Sequence, residues 1–313
     1  MNINKENKND MIDLSVDIAG IKLKNPVITA SGTCGFGREY LEYYSPSDIG
    51  AITTKGLSLL PREGNKPPRV AETPSGMLNA IGLQNPGVEY FIENELTHLK
   101  QYDTKIIANI FGGTVEEYCE MAKILSDTEI DMIEMNISCP NVKEGGVQFG
   151  TDTKMVENIT SSVKKVSKKP VIVKLSPNVT DISAIAKATE RGGADALSLI
   201  NTLVGMRIDI NSRQPVLKNN IGGLSGAAIK PVAVRMVWQT RNAVKLPIIG
   251  MGGILNGDDA IEFILAGATA VAVGTASFND PYAVIKIRGG IEKYMLNNGV
   301  QSIKSLSGTV KAW

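Results

Sequence analysis

The segment Asn136-Ile137-Ser138-Cys139-Pro140-Asn141 holds the side chains best suited to chemistry. It follows an apolar run, residues 132–135, that is typical of a buried strand about to end. Asparagine amides donate and accept hydrogen bonds without charge, which suits a polar planar ligand. A thiol can act as an acid, a base or a nucleophile when its thiolate is stabilised. The alternative is an ordinary turn, because Asn and Pro are common in loops and a lone Cys is usually a small buried hydrophobe.

Composition excludes several classes of protein. A net charge of +1 and a mean hydropathy near zero give no electrostatic signature of nucleic-acid or membrane binding. Three scattered cysteines, Cys34, Cys119 and Cys139, are too few for a disulfide scaffold, a thiolate zinc site or an iron–sulfur cluster. Residues 1–10 are polar and predict a frayed tail, and no apolar run is long enough to span a bilayer. We therefore expect a cytoplasmic protein.

The chain has a single histidine, His98. It lies in a stretch that reads as an exposed helix, so we expect a surface side chain without a catalytic role. A single surface histidine argues against a hydrolase that relies on a Ser–His or Cys–His pair and against a histidine-rich metal site. We therefore predict no metal site. Cys34 is expected to be structural, and Cys119 is expected to be buried inside a helical segment.

Short apolar strands alternate with helical segments along the chain. The predicted strands are 27–30, 51–55, 105–110, 132–136, 171–175, 196–200, 248–250 and 270–273, and the predicted helices are 116–126, 153–167, 181–191, 227–244, 258–266 and about 281–297. A short hairpin is predicted over residues 14–23. Eight alternations in roughly this length predict an α/β fold, a (β/α)₈ TIM barrel forming a single domain over residues 1–313. The alternative is an open doubly wound sheet, but no Gly-x-Gly-x-x-Gly follows the first strand.

Two insertions, residues 56–104 and 203–225, are much longer than ordinary barrel loops, which usually indicates function. The Gly-rich stretch 219–226 suggests a flexible lid.

In a barrel the carboxyl ends of the strands form one rim, where chemistry collects. The predicted rim holds two lysines, three asparagines and two glycine turns: Ser31, Lys55, Asn109, Asn136, Lys174, Asn201, Gly252-Gly253 and Gly274-Thr275. The turns follow strands seven and eight, where barrels often bind phosphate through backbone N–H groups. A phosphate there, with amides and a lysine around the rim, predicts a phosphorylated cofactor with a polar ring, and FMN fits well.

Several motifs together resemble the dihydroorotate dehydrogenases. They are Asn136–Asn141 as quoted above, Thr54-Lys55-Gly56, Asn79-Ala80-Ile81-Gly82-Leu83-Gln84-Asn85-Pro86-Gly87, Val173-Lys174-Leu175-Ser176-Pro177, Asn201-Thr202, residues 250–254 and Gly274-Thr275-Ala276. The resemblance covers roughly residues 14–311. A cysteine at position 139 is similar to class 1 enzymes, since class 2 enzymes carry serine there. The segment 79–87 is most similar to the class 1B catalytic subunit.

The resemblance implies FMN-dependent oxidation of (S)-dihydroorotate to orotate in pyrimidine biosynthesis. Cys139 would remove the C5 proton while hydride passes from C6 to flavin N5. Substrate would be held by Lys55, Asn79, Ala80, Ile81, Gly82, Leu83, Asn136, Asn201 and Thr202. One FMN per chain would be bound by Ala30, Ser31, Lys55, Gly56, Asn109, Asn136, Lys174, Ile200, Gly226, Gly252, Gly253, Gly274 and Thr275, with Lys174 stabilising the reduced flavin.

The electrons must then leave the chain. The class 1B resemblance implies a partner subunit that carries FAD and a 2Fe–2S cluster and reduces NAD⁺, in a heterotetramer built on a homodimer. The closest alternative is a class 1A homodimer that uses fumarate. More distant alternatives are an FMN barrel acting on a reduced uracil in a nucleotide or RNA, and a non-catalytic flavin-binding barrel.

Overall fold

The architecture is that of a computed structural model, which describes residues 12–138, 149–311 and 313. Eight parallel strands close into a barrel. Each strand pairs with the next one along the chain, and the last pairs with the first, where Val271 lies opposite Val27. The barrel strands are Val27–Thr29, Ala51–Thr53, Lys105–Ile110, Met132–Asn136, Val171–Lys174, Ala196–Leu199, Ile248–Met251 and Ala270–Val273. This closed order confirms the predicted (β/α)₈ barrel and excludes the open doubly wound sheet.

The barrel strands are short and buried on both faces, as Ala196–Leu199 and Ala270–Val273 show. Strands covered by helices outside and by packed side chains inside read as continuous apolar runs, which made them predictable. Four predicted strands extended one or two residues too far, through Ala30, Lys55, Leu175 and Ile200. These residues already belong to the turns that follow the strands, so the predicted strand ends were misplaced only at the rim of the barrel.

Side chains cap the N-termini of four of the main helices, at Thr114, Asp152, Asp181 and Asn256. Asp181 accepts hydrogen bonds from the N–H groups of Ser183 and Ala184, which confirms the expected start of the helix that follows. The main helices are Val115–Ser126, Thr153–Val166, Ile182–Arg191, Lys230–Ala243, Gly257–Ala266, Ala276–Asn279 and Ala283–Asn297, with 3₁₀ turns at Arg38–Tyr40, Pro46–Asp48, Phe149–Thr151, Ala227–Ile229 and Ile303–Leu306. None of the described helices is both long and apolar enough to cross a membrane.

The two long insertions form one structure. Strands Val70–Thr73 and Gly76–Asn79 from the first insertion pair with Leu203–Gly205 and Gly222–Ser225 from the second in an antiparallel sheet of four strands. We call this the extension sheet. A smaller pair, Ile208–Asp209 with Gln214–Pro215, continues the second insertion. Residues 222–225 of the stretch that suggested a flexible lid form a paired strand, and the lid role itself stays a prediction.

The predicted hairpin is confirmed by the antiparallel strands Val16–Ile18 and Ile21–Leu23. The helical stretch around His98 differs from expectation. It runs through Val88–Tyr90, a π-helical segment Phe91–Leu96 and Thr97–Leu99.

The expectation that His98 is a surface side chain is wrong. Its residue is only partly exposed, its Nε2 is buried, and its ring stands edge-on to Tyr102 at 5.3 Å. Cys34 is buried beside the Tyr44 hydroxyl, which agrees with a structural role. Cys119 is only partly buried, because it lies at the edge of the buried face of its helix.

Candidate active site

A cavity of about 560 Å³ opens at the carboxyl ends of the barrel strands and is roofed by the extension sheet. All of the predicted site residues that the structure describes line it: Ala30, Ser31, Lys55, Gly56, Asn79, Ala80, Ile81, Gly82, Leu83, Asn109, Asn136, Lys174, Ile200, Asn201, Thr202, Gly226, Gly252, Gly253, Gly274 and Thr275. Cys139 lies outside the described residues. The structure thus brings the predicted residues to one place, while their individual roles stay predictions.

Two asparagines from neighbouring strand ends form one polar unit. Asn201 donates from Nδ2 to Asn136 Oδ1 at 3.1 Å, and the N–H of Ser138 donates to the same oxygen at 3.3 Å. The Tyr118 hydroxyl holds the Asn136 carbonyl at 2.6 Å. With its acceptor oxygen engaged twice, the Asn136 side chain can offer its N–H groups to a ligand. The unit suits a ligand that carries carbonyl or carboxylate oxygens.

Two further amide side chains, Asn79 of the extension sheet and Asn178 of the turn after the fifth barrel strand, also line the cavity. Asn79 donates to the Gly223 carbonyl at 3.4 Å, which links two strands of that sheet. Asn178 donates to the Thr202 carbonyl at 3.0 Å and accepts from the Val204 N–H at 2.9 Å. Sequence reasoning missed Asn178, although it follows the fifth barrel strand by only a few residues. It fixes the start of the second insertion where this insertion leaves the rim.

Lys55 extends into the cavity from the turn after the second barrel strand. Burial lowers the pKa of its ammonium group, and the positive charge of Arg69 lowers it further. Its Nζ lies 3.6 Å from the position that a Cβ on Gly32 would occupy. A partly desolvated ammonium group whose charged neighbour is another cation attracts an anionic ligand group. This site therefore fits a carboxylate.

A buried polar cluster reaches the cavity through Asn109 and Lys174, which line it. We call Glu134, Asn109, Ser198 and Lys174 the floor cluster. Glu134 accepts from Asn109 Nδ2 at 2.6 Å and from the Ser198 hydroxyl at 2.6 Å, and its Oε1 lies 3.9 Å from Lys174 Nζ. The side chains of Glu134 and Lys174 are 2% and 7% exposed, so the pair is almost fully desolvated. Sequence reasoning missed Glu134 and Ser198. A lone charged residue inside a buried strand was the available signal for Glu134.

Glycine turns after the seventh and eighth barrel strands also line the cavity. Gly252 and Gly253 have φ angles of 125° and 79°, which favour glycine. A Cβ on Gly253 would lie 2.8 Å from the Gly226 carbonyl oxygen, so two backbone segments meet there. The Thr275 hydroxyl donates to the Ser225 hydroxyl at 2.8 Å and ties the eighth-strand turn to the extension sheet. Bare backbone of this kind can approach a phosphate closely.

The family model described as "Dihydroorotate dehydrogenase" matches residues 13–295, which is most of the chain. The chain belongs to the dihydroorotate dehydrogenase family. This confirms the resemblance drawn from the sequence, and it makes the lined cavity the candidate active site of a dihydroorotate dehydrogenase family member.

Curated relatives carry a more specific name. Two of them are named "Dihydroorotate dehydrogenase B (NAD(+)), catalytic subunit". The protein from Alkaliphilus metalliredigens is 59% identical and the match covers 96% of this chain and 99% of the relative. The protein from Alkaliphilus oremlandii is 60% identical and the match covers 95% of this chain and 98% of the relative. A crystal structure of the dihydroorotate dehydrogenase of Eimeria tenella in complex with ferulenol aligns with a TM-score of 0.80 at 20% identity, covering 98% of this chain and 90% of that one. At that identity the structure supports the fold alone.

Proposed function

We propose that this chain is the catalytic subunit of an NAD-linked dihydroorotate dehydrogenase, which oxidises (S)-dihydroorotate to orotate in pyrimidine biosynthesis. The relatives that bear this name match the chain along nearly its whole length at 56–60% identity. The observation that carries the proposal is the single cavity in which Lys55, the asparagine unit and the glycine turns meet.

FMN fits the residues around the cavity. The Asn109 Oδ1 atom is buried and accepts no hydrogen bond from any described residue, so it can receive an N–H of a polar ring. The turns at Gly252-Gly253 and Gly274-Thr275 would hold the phosphate through backbone N–H groups. When bound, FMN supplies the acceptor for the hydride that leaves substrate C6. Lys174 would place its positive charge against the pyrimidine edge of the ring.

The substrate would lie on the side of the cavity nearer the extension sheet. Lys55 would pair with its carboxylate, and Asn136 and Asn201 would donate to its ring oxygens. Asn79 and the backbone of residues 80–83, with Thr202, complete this wall. Donors that are already held by other protein groups need little rearrangement during the reaction, and such preorganisation is a large part of enzymatic rate enhancement.

The proton on substrate C5 requires a base, and we propose Cys139 on the basis of the motif that it shares with class 1 enzymes. A free thiol has a pKa of about 8.5 and is mostly protonated at neutral pH. The base role therefore requires a stabilised thiolate, or transfer coupled to water or a neighbouring hydroxyl. Ser138, the preceding residue, lines the cavity and donates its hydroxyl to the Lys174 carbonyl at 3.0 Å.

We further propose that a partner subunit carrying FAD and a 2Fe–2S cluster takes the electrons to NAD⁺. The word "subunit" in the relatives' names supports a partner. We expect a heterotetramer built on a homodimer of this chain, working in the cytoplasm. The same names favour this assembly over the fumarate-linked class 1A homodimer.

An acceptor assay tests the proposal. The FMN-loaded chain is mixed with dihydroorotate and either NAD⁺ or fumarate, with and without the FAD/2Fe–2S subunit. We expect dihydroorotate to reduce the flavin of the lone chain, and NAD⁺ to be reduced rapidly only when the partner is present. Rapid fumarate reduction by the lone chain would assign it to class 1A. Rapid NAD⁺ reduction by the lone chain would remove the need for the partner.

A further inference from the structure

The floor cluster contains a charged residue that none of the proposed roles uses. Glu134 lies in the middle of the fourth barrel strand with its side chain 2% exposed. A buried carboxylate is strongly unfavourable unless donors surround it. Here two neutral donors reach it at 2.6 Å, and the Lys174 ammonium lies 3.9 Å away. Burying such a group carries a considerable energetic cost, and the group has two effects on the cavity, one through Asn109 and one through Lys174.

The first effect concerns the orientation of Asn109. An ionised carboxylate only accepts hydrogen bonds, so the Asn109 amide must turn its NH₂ group toward Glu134. The amide oxygen is then directed away from Glu134, and it lies 2.9 Å from the position that a Cβ on Gly56 would occupy. Both Asn109 and Gly56 line the cavity. Glu134 therefore determines that this part of the floor presents an acceptor rather than a donor.

The second effect concerns charge. Lys174 is the cation of the floor, and its Nζ is 3.9 Å from Glu134 Oε1. In a desolvated pair the negative charge offsets much of the field that the lysine exerts on a ligand. A ligand above the floor therefore meets a smaller positive potential than Lys174 alone would create.

We propose that Glu134 is a positioning residue for the flavin site, rather than a group that touches the flavin. It holds the Asn109 oxygen ready for an imide N–H of the ring, and it limits how strongly Lys174 favours the reduced, negatively charged flavin. The inference rests on the proposed function, because it requires FMN in this cavity. The redox balance of the cofactor then depends on Glu134, which does not line the cavity, as well as on Lys174, which does.

The redox potential of the bound FMN is the decisive readout, since a merely structural residue would not move it in a defined direction. The variant Glu134→Gln keeps the side-chain shape and removes the charge. We expect the variant to favour reduced over oxidised FMN about tenfold more than the wild type does. This corresponds to a redox potential of bound FMN that is about 30 mV higher, for a two-electron couple. The matched control is Ser198→Ala, which removes a neutral donor from the same carboxylate and keeps the charge, and it should change that preference less than about twofold. An unchanged or lower potential in Glu134→Gln, or an equal rise in Ser198→Ala, would overturn the proposal.

A second measurement needs no variant and stays informative if Glu134→Gln does not fold. The wild-type chain is titrated with FMN and with 3-deaza-FMN, in which a C–H replaces the imide N–H. We expect the analogue to bind about tenfold more weakly, because the Asn109 oxygen would stay buried without a donor. Equal affinities would overturn the orienting role.

The outcomes also separate this inference from the proposed function. A wild-type chain that binds no FMN would refute both. A chain that binds FMN and is reduced by dihydroorotate, yet fails either test above, would refute the role of Glu134 alone.

Discussion

Replacing Lys55 by methionine should make the ligand-free chain more stable and the product complex much weaker. The ammonium group of Lys55 is largely buried, and the charged group that acts on it most clearly is Arg69, a second cation. Methionine has a similar length and no charge, so the substitution removes a desolvated charge without leaving a large void. The residue thus trades stability for affinity, as groups in binding sites often do.

The two effects can be given magnitudes. Removing an unfavourably buried charge should raise the free energy of unfolding by about 1 kcal/mol, which corresponds in a chain of this length to an increase of about 1–2 °C in Tm. Removing the cationic partner of a buried carboxylate should weaken orotate binding by roughly 2–4 kcal/mol, or roughly 30- to 900-fold in Kd. General damage to the fold would lower both stability and orotate affinity, so a rise in Tm together with a loss of affinity points to the buried charge itself.

Orotate binding is measured from the change in the flavin absorption spectrum, and Tm from a thermal scan of the same preparations. The matched control is Lys164→Met, where Lys164 Nζ pairs with the partly buried Asp195 at 2.6 Å. The control should lower Tm slightly and leave orotate affinity unchanged, because it removes a partner from a carboxylate that does not line the cavity. A loss of orotate affinity below about threefold in Lys55→Met would refute the pairing of Lys55 with the substrate carboxylate.

Three further predictions follow from the site. Because the pKa of Lys55 is lowered, the folded chain binds fewer protons than the unfolded chain between that pKa and 10.5, and stability rises with pH across this window. Thermal scans should therefore show the Tm difference between Lys55→Met and wild type shrinking as pH rises through the window. A Tm difference that does not change with pH would contradict the lowered pKa of Lys55. Gly253→Ala should weaken FMN binding at least about tenfold, because the backbone is strained at φ 79° and the new Cβ meets the Gly226 carbonyl. Flavin fluorescence measures this binding, and the control Gly289→Ala, whose Cβ would meet no atom within 4 Å, should leave it unchanged. Cys139→Ser should bind FMN and orotate normally but turn over about 10²- to 10⁴-fold more slowly at neutral pH, and near wild-type turnover in a stopped-flow assay would exclude Cys139 as the base.

The barrel could be predicted because its signals are local. Each strand is a short apolar run that is buried on both faces, and strands that follow each other in sequence pair with each other in space. The rim residues were predictable for the same reason: once a strand end is located, the side chain that follows it must lie at the rim. Lys55 and Lys174 were placed correctly on that argument alone.

The extension sheet could not be predicted from local patterns. It pairs Gly223 with Asn79, residues that lie far apart in sequence, and its strand Gly222–Ser225 contains a Gly-Gly pair that reads as a loop. The environment of His98 was missed for a different reason. Its ring packs edge-on to Tyr102, a near neighbour in sequence, but the preceding segment Phe91–Leu96 is π-helical and does not follow the α-helical periodicity that predicted an exposed face.

The floor cluster shows a different limit. Glu134 stands alone in an apolar strand, so the sequence signals a buried charge but not its partners. Asn109 and Ser198 come from two other strands, and only the closed barrel brings all three together. Chemistry that depends on one side chain at a strand end can be predicted from sequence, whereas a network across strands requires the structure.

Anaerobic titration of the FMN-loaded chain with dihydroorotate tests the central claim most directly. If the cavity at the strand ends joins flavin and substrate as proposed, the yellow flavin should bleach with one equivalent of dihydroorotate per FMN and release one equivalent of orotate. A chain that holds FMN with its spectrum unchanged by excess dihydroorotate would contradict the account.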